Sequence, residues 1–454
     1  MIKRTKKSAA GILMQDTQDI HFRERVRTRV FEVLWDTPAI TFEHILKRSH
    51  NCDPAFLLDV LQEVQDADFI SSTEGRETPV RYCLKVIDNY PRSQPSPFSQ
   101  PDSGPPLDIS LNSHQTEYLR ELLQEMLYSF PEPAPVYSQW WFSESIYENL
   151  IKFVLHLAKP HAPLAFIGSG TLGALLSHFS TNPVNIFDVD EVLLERISRY
   201  CSESTQTIRY DVSNEPSSSF EDTFQLVFVD PPWSKSMLRA FLVRSSTFVS
   251  DGGTLAISFP QVLTRPSAES ERKGLLNLAK SLGLSLKLTL PSFTEYSVPV
   301  FERNAYEHYG IHLKEPWRRG DLFIFTKNGD TKVDVNSLVQ KIPEWNQYHH
   351  RERRLFLKRD GLFEDGPPSV EPISGLEDLT CKSTSSRMPS WKSASLVSTR
   401  NRIAHACGRR KLSALLDTTF GQDRGNYEND VALVAMIPAE IKENISSMLD
   451  IANS

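Results

Sequence analysis

The chain has 454 residues, a formal net charge of −7 and 40% hydrophobic residues. This length predicts about three domains, and the composition is typical of an ordinary soluble protein that can bury a core. The negative charge argues against a protein whose main task is to hold nucleic acid, and it is compatible with a small cationic substrate. No apolar run approaches the roughly 18 residues that span a bilayer. We therefore expect a cytoplasmic protein without a membrane segment.

Cysteine and histidine give no sign of a metal site. The five cysteines are scattered and form no Cys-x-x-Cys pair, which is most simply explained by reduced thiols in the cytoplasm. His308 and His312 are four residues apart, but no third ligand follows at a useful spacing. We predict no metal.

The N-terminal part predicts a winged-helix domain over residues 21–90, after a flexible tail at 1–20. Three stretches with helical apolar periodicity precede two short strand-like runs that form a hairpin. Acidic residues dominate the polar positions of the third helix, which favours a structural or dimerising role over DNA readout. A homodimer is compatible with this pattern. Residues 91–110, rich in Pro, Ser and Gln, predict an extended linker.

The glycine loop is the first part of a predicted nucleoside-binding fold. An apolar run at 164–167 leads directly into a Gly-x-Gly-x-x-Gly loop that opens with Gly168, Ser169 and Gly170. A buried strand followed by such a loop and a helix is the layout of a doubly wound nucleotide-binding fold. Glycines permit the tight turn and a close approach of backbone to ligand. We expect these three residues to bind the cofactor.

Acidic residues follow the next two predicted strands. Asp188 lies about twenty residues past the first glycine, where an acid can bond ribose hydroxyls. Asp190 is interpreted as the N-cap of the following helix. Asp211 follows a strand at 207–210, where such folds place an acid near the adenine amino group, although a helix cap or surface turn is an equally good reading.

The third strand, 226–229, ends at Asp230, Pro231, Pro232 and Trp233. Two prolines after a strand end fix the backbone and leave carbonyls without competing N–H groups. A carboxylate, those carbonyls and an aromatic face suit a substrate amine. A glycine loop alone could serve NAD, but the two motifs together resemble transferases that use S-adenosylmethionine and act on nitrogen. We predict that these four residues form the catalytic centre.

Two further residues are candidates for substrate binding. Tyr137 belongs to an aromatic segment ahead of a helix that ends near Leu157, and core packing is its other interpretation. Glu302 lies in a segment, 296–309, between two strands that are predicted to complete an antiparallel edge. Loops at that place often define the acceptor, although a solvated acidic face is equally compatible.

The last part of the chain, 328–454, predicts a small accessory α+β region with a Ser/Pro-rich linker near 366–390. Residues 402–407 and 439–449 are predicted to be helical, with a strand at 431–436 between them. Its basic clusters are compatible with a solvated surface or with an anionic ligand.

The order of these features resembles the branched-chain polyamine synthase family. A winged helix, a Tyr-x-Gln segment before Ser-Glu-Ser, the glycine loop, Asp-x-Asp-Glu and Asp-Pro-Pro follow one another over roughly 23–327. The resemblance implies a Rossmann-like class I S-adenosylmethionine-dependent transferase domain of α/β class at 111–327. That family carries Gly-Asp-Asp-Asp in its first loop, whereas this chain has no carboxylate at residues 168–171.

The resemblance implies transfer of an aminopropyl group from decarboxylated S-adenosylmethionine to a small amine. Aminocarboxypropyl transfer from S-adenosylmethionine itself belongs to the same prediction. An N-methyltransferase that uses S-adenosylmethionine is the alternative, and a non-catalytic, effector-binding winged-helix regulator is a further one. In either enzyme, Asp230 and the Pro231 carbonyl would orient an uncharged amine for direct displacement, and Trp233 and Tyr137 would cover the site.

Overall fold

The computed structural model describes residues 9–37, 39–73, 81–84, 110–307, 310–329, 335–339, 344–350, 353–359, 367–373, 393–400, 402–420 and 439–449. The predicted strand at 431–436, His308 and all but the last residue of the predicted linker at 91–110 lie outside this part of the chain. None of the helices in these ranges has the length and apolar character needed to cross a membrane.

The N-terminal module has the elements expected of a winged helix, in the expected order. Its helices and strands are α1 (Ala9–Asp36), β1 (Ile40–Thr41), α2 (Phe42–Arg48), α3 (Pro54–Asp66), β2 (Ile70–Thr73) and β3 (Arg81–Leu84). The strands form one antiparallel sheet in the order β1-β3-β2. Thr41 and Asp53 begin α2 and α3 because their side-chain oxygens accept backbone N–H bonds. Helix α1 starts at Ala9, within the segment 1–20 that was predicted to be a flexible tail.

The module is fastened to the central domain through the start of α3. Asn51 Oδ1 accepts a hydrogen bond from the Arg319 backbone N–H at 2.6 Å. The Tyr306 hydroxyl donates to Asp53 at 2.5 Å. Leu57 of α3 also belongs to one buried apolar cluster with Trp317 of the central domain. The end of the helix that would read DNA in a winged-helix regulator is therefore occupied by contacts within the chain.

The central domain is built on a seven-stranded sheet in the order β6-β5-β4-β7-β8-β10-β9. Its strands are β4 (Leu164–Ile167), β5 (Val184–Asp188), β6 (Thr205–Arg209), β7 (Phe224–Val229), β8 (Val249–Pro260), β9 (Leu284–Tyr296) and β10 (Arg318–Lys327). Strands β4 to β8 are parallel, and β10 pairs antiparallel with both β8 and β9. All residues of β4 and β7 are buried, as expected of central parallel strands.

Seven helices described for this domain connect or flank the strands: α4 (Ser113–Ser129), α5 (Tyr147–Leu157), α6 (Gly170–Leu176), α7 (Glu191–Ser198), α8 (Lys235–Phe248), α9 (Ala268–Ser281) and α10 (Val300–Glu307). Helix α10 occupies most of the segment 296–309 that was treated as a loop. The chain passes from β4 to β5 and β6 on one side and then returns to β7 on the other side of β4. This reversal is the topological switch point at which doubly wound sheets bind ligands.

The C-terminal region is α+β, as predicted, but some elements differ. Its five-stranded sheet and two helices comprise β11 (Trp345–His350), β12 (Arg353–Lys358), β13 (Ser369–Glu371), β14 (Leu396–Ser398), β15 (Ile403–Cys407), α11 (Arg409–Phe420) and α12 (Ala439–Met448). The helix predicted at 402–407 is wrong, since this stretch is β15. A short apolar run does not distinguish a buried strand from a helix by periodicity alone. Strand β13 lies within the predicted linker at 366–390.

The C-terminal region packs against the segment that precedes the central sheet. Phe356 and Ile403 share a buried cluster with Ala134. Glu132 accepts a hydrogen bond from the Thr399 hydroxyl at 2.8 Å and forms an ion pair with Arg400 at 2.7 Å. This region is therefore in direct contact with the domain that carries the glycine loop.

Replacement of Gly173 by alanine should disturb core packing, whereas the same replacement at Gly274 should not. A Cβ at Gly173 would lie 2.9 Å from side-chain atoms of both Ile186 and Phe166, whereas one at Gly274 would have nothing within 4 Å. We expect Gly173→Ala to destabilise the fold by about 1–3 kcal/mol through overpacking. Gly274→Ala, on exposed α9, should stabilise it by up to about 1 kcal/mol. Urea unfolding of both variants measures the difference, and equal stabilities would contradict this packing.

Candidate active site

A cleft with a volume of about 820 Å³ opens at the carboxyl ends of the parallel strands. Clefts of this size hold nucleotide-sized ligands. Most of the residues predicted for the site line it, namely Tyr137, Gly168, Asp188, Asp211, Asp230, Pro231, Pro232, Trp233 and Glu302. Residues that the sequence places far apart thus meet at the switch point of the sheet.

Gly168 allows the ends of β4 and β7 to approach each other. Its φ is +67°, and a Cβ at this position would lie 2.8 Å from the Asp230 carbonyl oxygen. The Asp230 N–H donates to the Ile167 carbonyl at 3.1 Å, and the Gly168 N–H donates to the Phe187 carbonyl at 3.0 Å. Only glycine combines this backbone conformation with so close a neighbour.

Ser169 and Gly170 do not line the cleft, although they were predicted to bind the cofactor. Ser169 is 5% exposed, and its hydroxyl donates to the Phe228 carbonyl at 3.3 Å. A Cβ at Gly170 would lie 2.7 Å from Ile197 Cδ1. These two residues instead support the loop from the side away from the cleft. The helix that starts at Gly170 packs closely against α7 and β5.

Asp188 reaches the cleft from the end of β5. Its Oδ1 accepts the backbone N–H of Asp190 at 2.9 Å. Desolvation raises the pKa of Asp188 to about 7, and the negative charge of Asp190 adds to the rise, whereas backbone hydrogen bonds and Arg354 oppose it. A carboxyl group in this position can bond a ligand hydroxyl in either protonation state.

Asp211 lies both on the cleft and in a tight turn. It lines the cleft after β6, and its Oδ1 also accepts the Ser213 N–H at 2.8 Å. This local bond is the side-chain-to-backbone contact that Asp makes in tight turns. The turn holds the carboxylate at the edge of the cleft.

Asp230 is paired with a tyrosine that the sequence did not reveal. The Tyr296 hydroxyl donates to Asp230 Oδ1 at 2.6 Å and lies 2.7 Å from the Ser258 hydroxyl. Desolvation raises the pKa of Asp230 to about 7, and the Tyr296 hydrogen bond and the charge of Arg318 oppose that rise. Burial, followed by the charge of Asp230, raises the pKa of Tyr296 well above its usual value. Tyr296 therefore keeps its proton and remains a donor to Asp230.

Arg318, at the start of β10, is the second residue that the sequence did not reveal. Its guanidinium carbon lies 4.2 Å from the centroid of the Trp233 ring and 4.3 Å from that of a Trp140 ring. Trp233 in turn packs edge-on against Tyr296, with centroids 5.3 Å apart. A cation thus lies against both indoles beside Asp230. No local pattern marks an arginine at a strand start as a site residue.

Tyr137 and Glu302 both belong to the cleft wall. The Tyr137 hydroxyl donates to Gln347 of β11 at 3.5 Å, and burial raises the pKa of this phenol. Glu302, on α10, is only 3% exposed. Glu295, near the end of β9, is not among the residues that line the cleft. It is engaged with Arg319 at 2.9 Å and with the Ser143 hydroxyl at 2.8 Å instead.

The lining carries a balanced set of charges. Among the described residues, acidic and basic side chains on the cleft are equal in number: Asp188, Asp211, Asp230, Glu302 and Glu344 against Arg209, Lys235, Arg265, Arg318 and Arg359. A site built to hold a linear polycation would have an excess of carboxylates.

Comparisons with known proteins agree on the type of fold. A family model described as probable N6-adenine methyltransferase matches residues 135–263, which include the glycine loop and Asp230. The crystal structure of a branched-chain polyamine synthase from Thermus thermophilus, in complex with N4-aminopropylspermidine and 5′-methylthioadenosine, is similar with a TM-score of 0.52 at 12% identity. The match covers 70% of this chain and 91% of that chain.

The C9 mutein of the same synthase gives a TM-score of 0.50 at 12% identity, covering 70% of this chain and 93% of that chain. No curated protein sequence matches the chain. At 12% identity, the structural likeness speaks for the fold alone. Together with the seven-stranded sheet, these matches show that the chain has the Rossmann-like fold of S-adenosylmethionine-dependent methyltransferases, an enzyme fold that takes a cofactor of this type.

Proposed function

We propose that this protein is an S-adenosylmethionine-dependent N-methyltransferase that acts on an uncharged amino group. The observation that carries the proposal is the position of Asp230, at the carboxyl end of β7, with its carboxyl group desolvated and bonded to Tyr296. The range matched by the family model described as probable N6-adenine methyltransferase includes Asp230 and the glycine loop.

The residues present fit a nucleoside donor. Gly168 brings bare backbone to the cleft at the end of β4, and Asp188 and Asp211 line the cleft at the ends of the neighbouring strands β5 and β6. These three residues would hold the ribose and adenine parts. When bound, S-adenosylmethionine supplies an electrophilic methyl carbon on a sulfonium leaving group.

The chain itself has to orient the acceptor and manage one proton. Asp230 Oδ1 is held by Tyr296, and Asp230 would accept an N–H bond from the amine. Pro231 also lines the cleft. Its carbonyl has no competing N–H on Pro232 and would accept a second bond. Two acceptors aim the nitrogen lone pair. With a pKa of about 7, ionised Asp230 can also take the proton that the product amine loses.

Aminopropyl transfer to a polyamine is the second candidate, and the likeness to the polyamine synthase over 91% of that chain favours it. Three features weigh against it. Residues 168–171 contain no carboxylate, the cleft carries balanced charges, and Arg318 already covers the indole faces of Trp140 and Trp233. Those faces would otherwise attract a cationic amine. An uncharged acceptor nitrogen fits this surrounding better.

Calorimetric titration with S-adenosylmethionine, its decarboxylated form and 5′-methylthioadenosine tests the proposed donor. We expect S-adenosylmethionine to bind in the micromolar range, on the order of −8 kcal/mol, and more tightly than the decarboxylated form. Gly168→Ala should remove this binding, since its Cβ would collide with the Asp230 carbonyl, whereas Gly274→Ala should retain it. Preference for the decarboxylated donor would favour aminopropyl transfer, and binding of neither donor would reject both enzymes.

The rate of transfer at saturating donor should rise with pH through about 7 as Asp230 ionises. Asp230→Asn should remove this dependence and lower kcat about a hundredfold or more. Tyr296→Phe removes a bond that favours the carboxylate, so the pKa of Asp230 and the midpoint of the profile should move to higher pH. The pH–rate profile of each variant measures these effects.

Asp188→Asn is the matched control, because the pKa of Asp188 is also raised to about 7. Because Asp188 would act in donor binding, its replacement should leave the midpoint of the kcat profile unchanged at saturating donor.

Ionisation of Asp230 also affects the stability of the fold. Since its folded pKa lies above the usual 3.8, its contribution to the free energy of unfolding is full at low pH and is lost as pH rises through about 7. A pH-independent rate in the unmodified protein would contradict the role of Asp230.

A further inference from the structure

Arg354, on β12, is the most deeply buried cation described in the C-terminal region, with no exposed surface. Its guanidinium contacts three groups of the central domain. Nη1 donates to Asp190 Oδ2 at 2.5 Å, and Nη2 donates to the Glu132 carbonyl at 2.7 Å and to Gln139 Oε1 at 3.0 Å. The basic cluster around this residue is therefore not simply a solvated surface.

Asp190 is the partner of Arg354 and is equally buried. It accepts the Leu193 N–H as the N-cap of α7, as predicted, and Gln139 Nε2 at 2.7 Å. Burial by itself would raise the pKa of Asp190, but the charge and hydrogen bonds of Arg354 lower it below the usual value. The carboxylate is thus ionised and depends on the arginine.

A buried ion pair adds little to the stability of a fold, because desolvation of both charges offsets their attraction. The role of this pair is to fix the relative positions of the groups that it joins. The planar fork of Arg354 joins residues 132, 139 and 190 at once, with a fixed geometry that a flexible lysine would not impose. The backbone N–H of Asp190 donates in turn to Asp188 Oδ1 at 2.9 Å. A short chain of bonds therefore runs from Arg354 to a carboxyl group on the cleft.

The same C-terminal sheet forms part of the cleft wall. Trp345, at the start of β11, lines the cleft together with Tyr137 and Asp188. Trp345 and Tyr137 both pack against the buried cluster that contains Phe356 and Ala134. Tyr137 also lies close enough to Asp190 and Asp188 for their charges, after burial, to raise the pKa of its phenol.

We propose that Arg354 is a positioning residue for the donor site: it holds Asp190 so that Asp188 presents its carboxyl group to the ribose of the donor. The C-terminal region, which lies outside the matched residues 135–263, is then a working part of the donor site. This inference rests on the proposed function, since it presumes a nucleoside donor beside Asp188.

The test compares S-adenosylhomocysteine with its 2′-deoxy analogue by calorimetry on the full chain. The unmodified protein should bind the parent compound about tenfold more tightly, the size expected of one hydrogen bond to a charged group. In Arg354→Met the parent should bind about tenfold more weakly, and the preference for the ribose hydroxyl should disappear. A purely structural role would leave this preference intact.

Arg353→Met is the matched control. Arg353 lies on the same strand, but its Nη1 donates to the Leu449 carbonyl within the C-terminal region at 2.5 Å. Both the affinity and the ribose preference should be retained in this variant. If Arg354→Met does not fold, Arg354→Met with Asp190→Asn removes both buried charges together and should restore folding without restoring the preference.

The outcomes separate the inference from the proposed function. If the unmodified protein binds neither ligand, the proposed function fails. If it binds with a ribose preference that persists in Arg354→Met or in the double variant, the proposed function stands and the positioning role is overturned. Loss of the preference in Arg353→Met as well would equally overturn it, since the effect would then not depend on the contact with Asp190.

Discussion

The hydrogen bond between Tyr296 and Asp230 is the interaction on which the candidate site depends. It joins the end of β9 to the end of β7, and Arg318 of β10 adds its charge beside Trp233. The carboxyl group is thus held by strands of the antiparallel edge as well as by its own motif. Desolvation makes the carboxyl group easy to protonate, whereas the phenol and the guanidinium favour its ionised form. This opposition sets the pKa of Asp230 near neutrality, where a group can both accept an amine hydrogen bond and take up a proton.

Two parts of the chain are attached to the central domain by polar contacts, and one of them, the C-terminal region, also lines the cleft. The N-terminal module is held through Asn51 and Asp53 at the start of α3. The C-terminal region is held through Arg354 and through the Glu132 contacts with Thr399 and Arg400. Neither attachment resembles a mobile tether. In this arrangement the N-terminal module is packed against the central domain, and the start of its helix α3 is engaged in these contacts.

The sequence was most informative where function and local structure coincide. Gly168, Asp188 and Asp230 follow buried strands, so the parallel sheet brings them to one edge, and this could be predicted. Tyr296 and Arg318 meet at the site because β9 pairs with β10, and Arg354 reaches Asp190 because the C-terminal region packs against the central domain. No local sequence pattern reports either contact. Ser169 and Gly170 belong to the glycine motif, but they contact neighbouring strands and helices and do not line the cleft. Residues 403–407 were misassigned because a short apolar run suits a strand and a helix alike.

A crystal structure of the protein with S-adenosylhomocysteine tests the central claim most directly. We predict that the ribose lies beside Asp188, the adenine toward Asp211, and the sulfur atom toward Asp230 and Pro231, where the acceptor would bind. The Asp230–Tyr296 bond should persist in the complex. A nucleoside bound elsewhere, or a sulfur atom directed away from Asp230, would contradict the assignment of Asp230 as the group that handles the acceptor amine.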